Sequence, residues 1–348
     1  MSQSTYQTVV LAQRPTANIV PGETFRLKTD PLLTEADLKD GQVLIETLYL
    51  SLDPAMRGWL KDTRSYLPPV QLGERMRGAA IGKIIASKAA SFAVGDYVAG
   101  VTGWTELAIA DATSITRLEL PPNGKLTDAL GVLGMTGLTA YFGILEVGKV
   151  KAGDFVVVSG AAGATGSVVC QIAKIKGAKV LGLAGSDEKV KWLQELGCDE
   201  ALNYKAPGFA ESFHEKTTDL IDVFFDNVGG EILELALAKA KPHARFVMCG
   251  AISQYNKTIP SGPRNLTQVI VNRIRMEGFI VLDFAAQYGT ARKELAQWLA
   301  EGKIQRKETI VKGGLAAAEQ ALLGLFEGIN TGKMLVEIKA DEGSGSKL

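Results

Sequence analysis

The chain has 348 residues, and 38 Lys plus Arg balance 38 Asp plus Glu, so its formal net charge is zero. That length holds two domains and a sizeable core, and the even balance without a basic cluster argues against nucleic acid as a partner. The three cysteines, Cys170, Cys198 and Cys249, form no close pair in sequence, which points to a reducing compartment and away from a disulfide framework.

Met1 to Tyr6 carry no basic segment followed by an apolar core, so no secretory signal is expected and a cytoplasmic location is. Up to about residue 130, short apolar runs alternate with Gly and Pro. Gln42–Leu50, Gly78–Ile85, Asp96–Val101 and Thr105–Ile109 read as strands. Their close punctuation predicts a compact, β-rich, barrel-like domain. The uncharged run from Ala129 to Leu145 contains four glycines between Asp128 and Glu146. A buried helix suits it better than a membrane span.

Beyond residue 130 the period changes. Strand Phe155–Ser159 precedes helix Ala164–Lys176, strand Lys179–Ala184 precedes helix Asp187–Leu196, and strand Ile221–Asp226 precedes helix Glu231–Ala240. Strand Arg245–Cys249, strand-like Gly278–Leu282 and helix Tyr288–Ala300 follow. This alternation predicts an α/β unit with a doubly wound parallel sheet. Strand-like Lys333–Ile338 lies beyond the series and suits a return to the first domain. At the extreme end, Ser346-Lys347-Leu348 follows a Gly/Ser-rich tail. It reads either as a peroxisomal address or as a chance ending.

The chemistry begins at Phe155–Val169, a β-branched run, a loop of small residues and an apolar-periodic helix. This is the strand, turn and helix that a dinucleotide fold requires. Ala162, Gly163, Ala164, Thr165 and Gly166 are the pyrophosphate candidates. Gly163 allows close backbone approach, Gly166 allows tight helix packing, and the free N–H groups at the helix start face the phosphates. Ala161 takes the first glycine position of the fingerprint. The second strand ends in Gly185-Ser186 without the acid that would bind the ribose hydroxyls of NAD, Asp187 is placed to cap the following helix, and Lys189 follows in its first turn. A missing acid beside a cation suits the phosphate of NADPH; a solvated helix lysine is the bland alternative. Tyr204, in Asn203-Tyr204-Lys205, ends the third strand at the same crevice or is an exposed loop aromatic. Asn227 follows the next strand, and Cys249, Gly250, Ile252 and Ser253 the one after. Tyr255 is a candidate proton donor, with a packing aromatic as the alternative.

Residues 1–130 contain no Cys and no His, and His214 and His243 lie far apart in the second half. A catalytic zinc site needs about three such ligands, so no metal site is expected. No Gly-x-Ser-x-Gly elbow is present.

Six segments spread over nearly the whole chain carry a resemblance. They are Leu50–Gly58, Gly134–Tyr141, Ala184–Lys189, Phe225–Gly230, Ile252-Ser253-Gln254-Tyr255-Asn256 and Gly328–Lys333. Together they resemble the medium-chain dehydrogenase/reductase superfamily, more narrowly its zinc-independent double-bond reductase branch. The resemblance implies a Rossmann-type nucleotide domain over residues 131–308. It also implies a GroES-like substrate domain over residues 1–130 with 309–348. It places Met135 and Thr139 near the nicotinamide, and Ser186, Lys189 and Tyr204 at the 2′-phosphate. Asn227 and Asn330 would touch the cofactor, and Tyr255 the substrate carbonyl. Ala55 and Arg57 would line the substrate pocket; Ala55 stands where many relatives have an aromatic.

The activity this implies is NADPH-dependent reduction of the double bond of α,β-unsaturated aldehydes or ketones by a homodimer. An NADPH:quinone reductase and a non-catalytic, crystallin-like NADPH-binding protein are the alternatives on the same scaffold.

Overall fold

The structure, a computed structural model, describes residues 4–341, so the C-terminal tripeptide lies outside the described residues. β1 (Thr5–Leu11) and β2 (Phe25–Pro31) form an antiparallel pair. β3 (Gln42–Ser51) is the spine of a second sheet, with Val43, Leu44, Ile45, Leu48 and Leu50 buried. A short helix, α1 (Met56–Trp59), precedes β4 (Ala80–Ser87), β5 (Tyr97–Gly100), β6 (Leu107–Asp111) and β7 (Ile115–Arg117). β4 and β6 both pair antiparallel with β3, and β5 links β4 to β7.

α2 (Met135–Phe142) ends in a turn of π-helix, Gly143–Val147. The uncharged run is therefore a short helix with a widened end rather than one long helix. Then come β8 (Phe155–Val158), α3 (Ala164–Ile175), β9 (Lys179–Ala184), α4 (Asp187–Glu195), β10 (Glu200–Asn203) and α5 (Phe209–Lys216). β11 (Ile221–Asp226), α6 (Gly230–Ala238), β12 (Ala240–Met248), α7 (Thr267–Val271), β13 (Arg275–Gly278) and α8 (Tyr288–Ala300) complete the series.

β8 to β13 make one parallel sheet in the order β10-β9-β8-β11-β12-β13. Both faces are covered, as a parallel sheet requires. Val156 and Val158 pack into one core with α3 and α8, and Phe155 and Val157 into another with α5 and α6. The strand order reverses between β8 and β11, which opens a crevice at their carboxyl ends.

The run Gly278–Leu282 is not a strand. β13 ends at Gly278, and Val281–Gln287 is a 3-10 helix. Phe279 packs on Phe225, and Phe284 stacks on Phe142. A short apolar run serves helix or strand equally well, and here packing decides. Cys170 and Cys198, distant in sequence, are both buried with their thiols in contact; all three cysteines are free.

β14 (Glu308–Val311), α9 (Ala318–Glu327) and β15 (Lys333–Glu337) return to the first sheet, where β15 pairs with β14 and β3. The return brushes the glycine loop on its way: Gly332 N–H donates to the Ala162 carbonyl at 2.8 Å. Lys333 Nζ, buried, donates to the Leu52 carbonyl at 3.0 Å and to Asp53 at 2.5 Å. Among the described residues no helix is long and apolar enough to cross a membrane.

Candidate active site

Each loop singled out after a strand of the parallel sheet lies at its carboxyl edge. The loop after β8 turns at Gly160 and starts α3 from Gly163, whose backbone is extended and which offers no side-chain cap. The first-turn N–H groups of α3 therefore face outward without an internal acceptor. The two glycines differ in role. A Cβ at Gly166 would stand 2.4 Å from the Gly160 carbonyl oxygen and 2.8 Å from Ala161 Cα. A Cβ at Gly163 would meet only that carbonyl oxygen, at 3.3 Å. Close packing explains Gly166; open space beside Gly163 suits an approaching ligand. Ala164 and Thr165 follow it, half-buried at the helix start.

At the end of β9, Ser186 caps α4 by accepting from Lys189 N–H at 3.3 Å. This corrects the expectation that Asp187 is the cap: Asp187 instead accepts from Asn203 Nδ2 at 2.8 Å. Lys189 Nζ donates to the Gly328 carbonyl at 2.6 Å. Burial first, and the neighbouring Lys205 second, lower its pKa. Neither lysine has an ion-pair partner in the described residues. Tyr204 leans over Gly185, where a Cβ would stand 2.7 Å from its hydroxyl, and burial raises the phenol's pKa. Gly185, Ser186, Lys189 and Tyr204 thus converge. Lys205 joins them, although the sequence reading passed over it; a second cation at a strand end was the available signal.

The ends of β8, β11 and β12 meet at Asp226, a residue the sequence reading named only as part of a strand end. Its fully buried carboxylate accepts from Ser159 Oγ at 2.7 Å and from the Val228 and Gly229 N–H groups at 2.9 Å each. Its other oxygen has no partner among the described residues, and burial raises its pKa against the pull of those hydrogen bonds. The Asp226 carbonyl receives the N–H groups of Cys249 and Gly250. Asn227 Nδ2 donates to the Ser159 carbonyl at 2.7 Å. Burial, with Asp226 nearby, pushes the Cys249 thiol up to about 12. Ile252 opens a short 3-10 turn, and Ser253 Oγ donates to the Val228 carbonyl at 2.6 Å.

Tyr255 closes that turn. The Ala251 N–H donates to its Oη at 3.1 Å, and the phenol's own proton has no acceptor among the described residues. Burial raises its pKa, so it stays protonated at neutral pH.

Met135, more than a third exposed, starts α2, and Thr139 Oγ1 donates back to its carbonyl at 2.7 Å. Asn330 Nδ2 donates to the Gly332 carbonyl at 2.8 Å, beside the glycine loop. Ala55, half-buried, precedes α1. Arg57, expected at the substrate pocket, is 0% exposed, and its guanidinium is engaged by the carbonyls of Pro15 and Ala17 and by Asn256.

Residues 7–118 match the family model described as the N-terminal domain of oxidoreductase, and residues 164–301 match the one described as zinc-binding dehydrogenase. Among the described residues, no group of three or more His, Cys, Asp or Glu is placed to hold a metal ion. The chain is 39% identical to the NADPH-dependent curcumin reductase of Escherichia coli, over 96% of this chain and 97% of that one. It is 44% identical to prostaglandin reductase 1 of Mus musculus, over 90% and 93%. Among solved structures, CurA of Vibrio vulnificus in complex with NADPH superposes with a TM-score of 0.88 at 40% identity, covering 96% of this chain and all of that one. Similarity of this depth over both halves shows that the chain belongs to the medium-chain dehydrogenase/reductase family, in its zinc-independent double-bond reductase branch.

Proposed function

We propose that the protein reduces the carbon–carbon double bond of α,β-unsaturated aldehydes and ketones, with NADPH as reductant. The curcumin and prostaglandin reductases among its relatives support the reaction class, and the NADPH complex of a structural neighbour supports the cofactor. The residues fit that cofactor. Gly163 and the start of α3 suit a pyrophosphate, and Lys189 with Lys205, unpaired by carboxylates, suits a phosphate on the adenosine ribose. Met135, Thr139, Asn227, Cys249 and Asn330 would border the nicotinamide end. When bound, NADPH supplies the hydride that the β-carbon accepts.

One observation carries the assignment of the donor: Tyr255 is neutral, anchored through Ala251 and free to donate its proton. As the double bond is reduced, negative charge builds on the substrate's carbonyl oxygen. A fixed neutral donor there stabilises that charge and relays a proton. Ala55 would line the substrate pocket on the same reading.

The test is an NADPH-oxidation screen of the purified protein against enals, enones and quinones, with products identified by mass. The saturated carbonyl, two hydrogens heavier than the substrate, is expected. Turnover of quinones with every enone untouched would overturn the reading.

The same reading divides the chain at residues 130/131 and 308/309 and makes it a homodimer joined through the nucleotide domain. The dimer is supported by the open edge at β13 and by the exposed apolar side chains Ile259, Ile270 and Val271 nearby in sequence.

A further inference from the structure

Arg57 is a buried cation without a carboxylate. It lies on α1 in the first domain and is 0% exposed. Nη2 donates to the carbonyls of Pro15 at 3.1 Å and Ala17 at 2.6 Å. Nε donates to the Ala17 carbonyl at 3.1 Å and to Asn256 Oδ1 at 3.0 Å. Nη1 is buried with no partner among the described residues. Burying a charge in this way is costly, and an apolar side chain would fill such a site more cheaply. The contact with Asn256 is the one that leaves the first domain. Asn256 directly follows Tyr255, on the loop after β12. Within its own loop the phenol is held only by Ala251 N–H, a bond that does not fix the loop relative to the first domain.

We propose that Arg57 is a positioning residue: through Asn256 it ties the Tyr255 loop to the first domain across the crevice and so sets where the phenol stands against the substrate. The proposal rests on the reading of Tyr255 as the donor to the substrate carbonyl. Small misplacements of such a donor slow turnover severely without touching cofactor contacts made elsewhere.

Removing Arg57 itself risks the fold, so Asn256 carries the test. Asn256→Ala and Asn256→Asp are made alone and in the Tyr255→Phe background, and enone turnover and NADPH affinity are measured for each. Asn256→Ala is expected to lower turnover about tenfold with NADPH affinity unchanged. Asn256→Asp keeps an oxygen facing Arg57 and should return turnover to within about threefold of wild type. In the Tyr255→Phe background, Asn256→Ala should cost less than about twofold, because the group being positioned is already gone. A full tenfold loss in that background, or wild-type turnover of Asn256→Ala alone, overturns the tie while Tyr255→Phe remains slow. Wild-type turnover of Tyr255→Phe instead overturns the donor reading, and the tie with it.

Discussion

Burial and the proximity of Lys205 lower the pKa of Lys189, and a neighbouring phosphate would relieve both effects on the charged ammonium. Lys189→Ala should therefore weaken NADPH binding by roughly 1.5–3 kcal/mol and leave NADH nearly unchanged. Titration of both cofactors checks this, and equal losses would reject the phosphate assignment. Because Lys189 also holds the Gly328 carbonyl, Tyr204→Phe serves as a control that leaves that contact intact. At the other end of the crevice, Tyr255→Phe keeps the ring and removes one donor. Turnover on enones should fall on the order of 10–100-fold, with NADPH affinity held. Burial raises the phenol's pKa, so ionisation of Tyr255 should not reduce activity as the pH approaches about 10, the value of a free phenol. Wild-type turnover on every accepted enone would make Tyr255 a packing aromatic.

The strand–loop–helix around β8 makes a sharper prediction, because its two glycines answer to different constraints. Gly166→Ala forces a methyl against the Gly160 carbonyl and Ala161 and should destabilise the fold by about 1–3 kcal/mol. Gly163→Ala meets one atom, the Gly160 carbonyl oxygen at 3.3 Å, a tight contact that a shift of a few tenths of an ångström relieves, so the protein should fold with little loss and bind NADPH less well. Denaturant midpoints and cofactor titrations separate the two, and matched losses of stability would reject the distinction. Both glycines were legible beforehand because strand, turn and helix are local signals. So were β9, β11 and α8, whose periodicity is clear over their whole length. The run Gly278–Leu282 was not, since Phe279 and Phe284 turn into a core assembled from distant aromatic residues. Arg57 was expected at the substrate pocket and Asp226 only at a strand end, and neither partner was foreseen: Arg57 meets Asn256 across 199 positions, and Asp226 meets Ser159 across 67. No local pattern reports such partners. Asp199 is a third long-range tie. It accepts from Lys174 on α3 at 2.8 Å and from Val180 N–H on β9 at 2.7 Å. Burial alone would raise its pKa, but these bonds outweigh it and the net shift is downward. A carboxyl depressed by folding adds stability above its unfolded value, about 3.9, and loses it as the pH falls through the folded value. Asp199→Asn should then destabilise the protein at neutral pH by up to about 1 kcal/mol, since the pair is part-exposed. The difference from wild type should vanish in acid, and a pH-independent difference would remove the ion pair as its cause.

At the scale of the whole molecule, the two halves are stitched by hydrogen bonds around the crevice: Gly332 to Ala162 and Arg57 to Asn256. The nucleotide sheet remains open on the side of β13. β13 is the end of the sheet order and pairs only with β12. Natural sheets cover, charge or pair such an edge. Arg275 and Glu277 form an ion pair on this strand, which charges it without covering it. Ile259 and Ile270 are 83% and 77% exposed, and Val271 is 61% exposed, in the segment leading into β13. An apolar surface next to an unpaired edge is what a two-fold axis uses well, since each copy offers the same patch and the same strand to the other. A stable dimer needs about 1,000 Å² or more of buried surface. Sedimentation of the wild-type protein at micromolar concentration should give twice the chain mass. Ile270→Asp places a charge among these exposed side chains and should yield a folded monomer that still binds NADPH, because no residue assigned to the cofactor lies on α7. A wild-type monomer, or a dimer indifferent to Ile270→Asp and to Val271→Asp alike, would place the interface elsewhere or remove it.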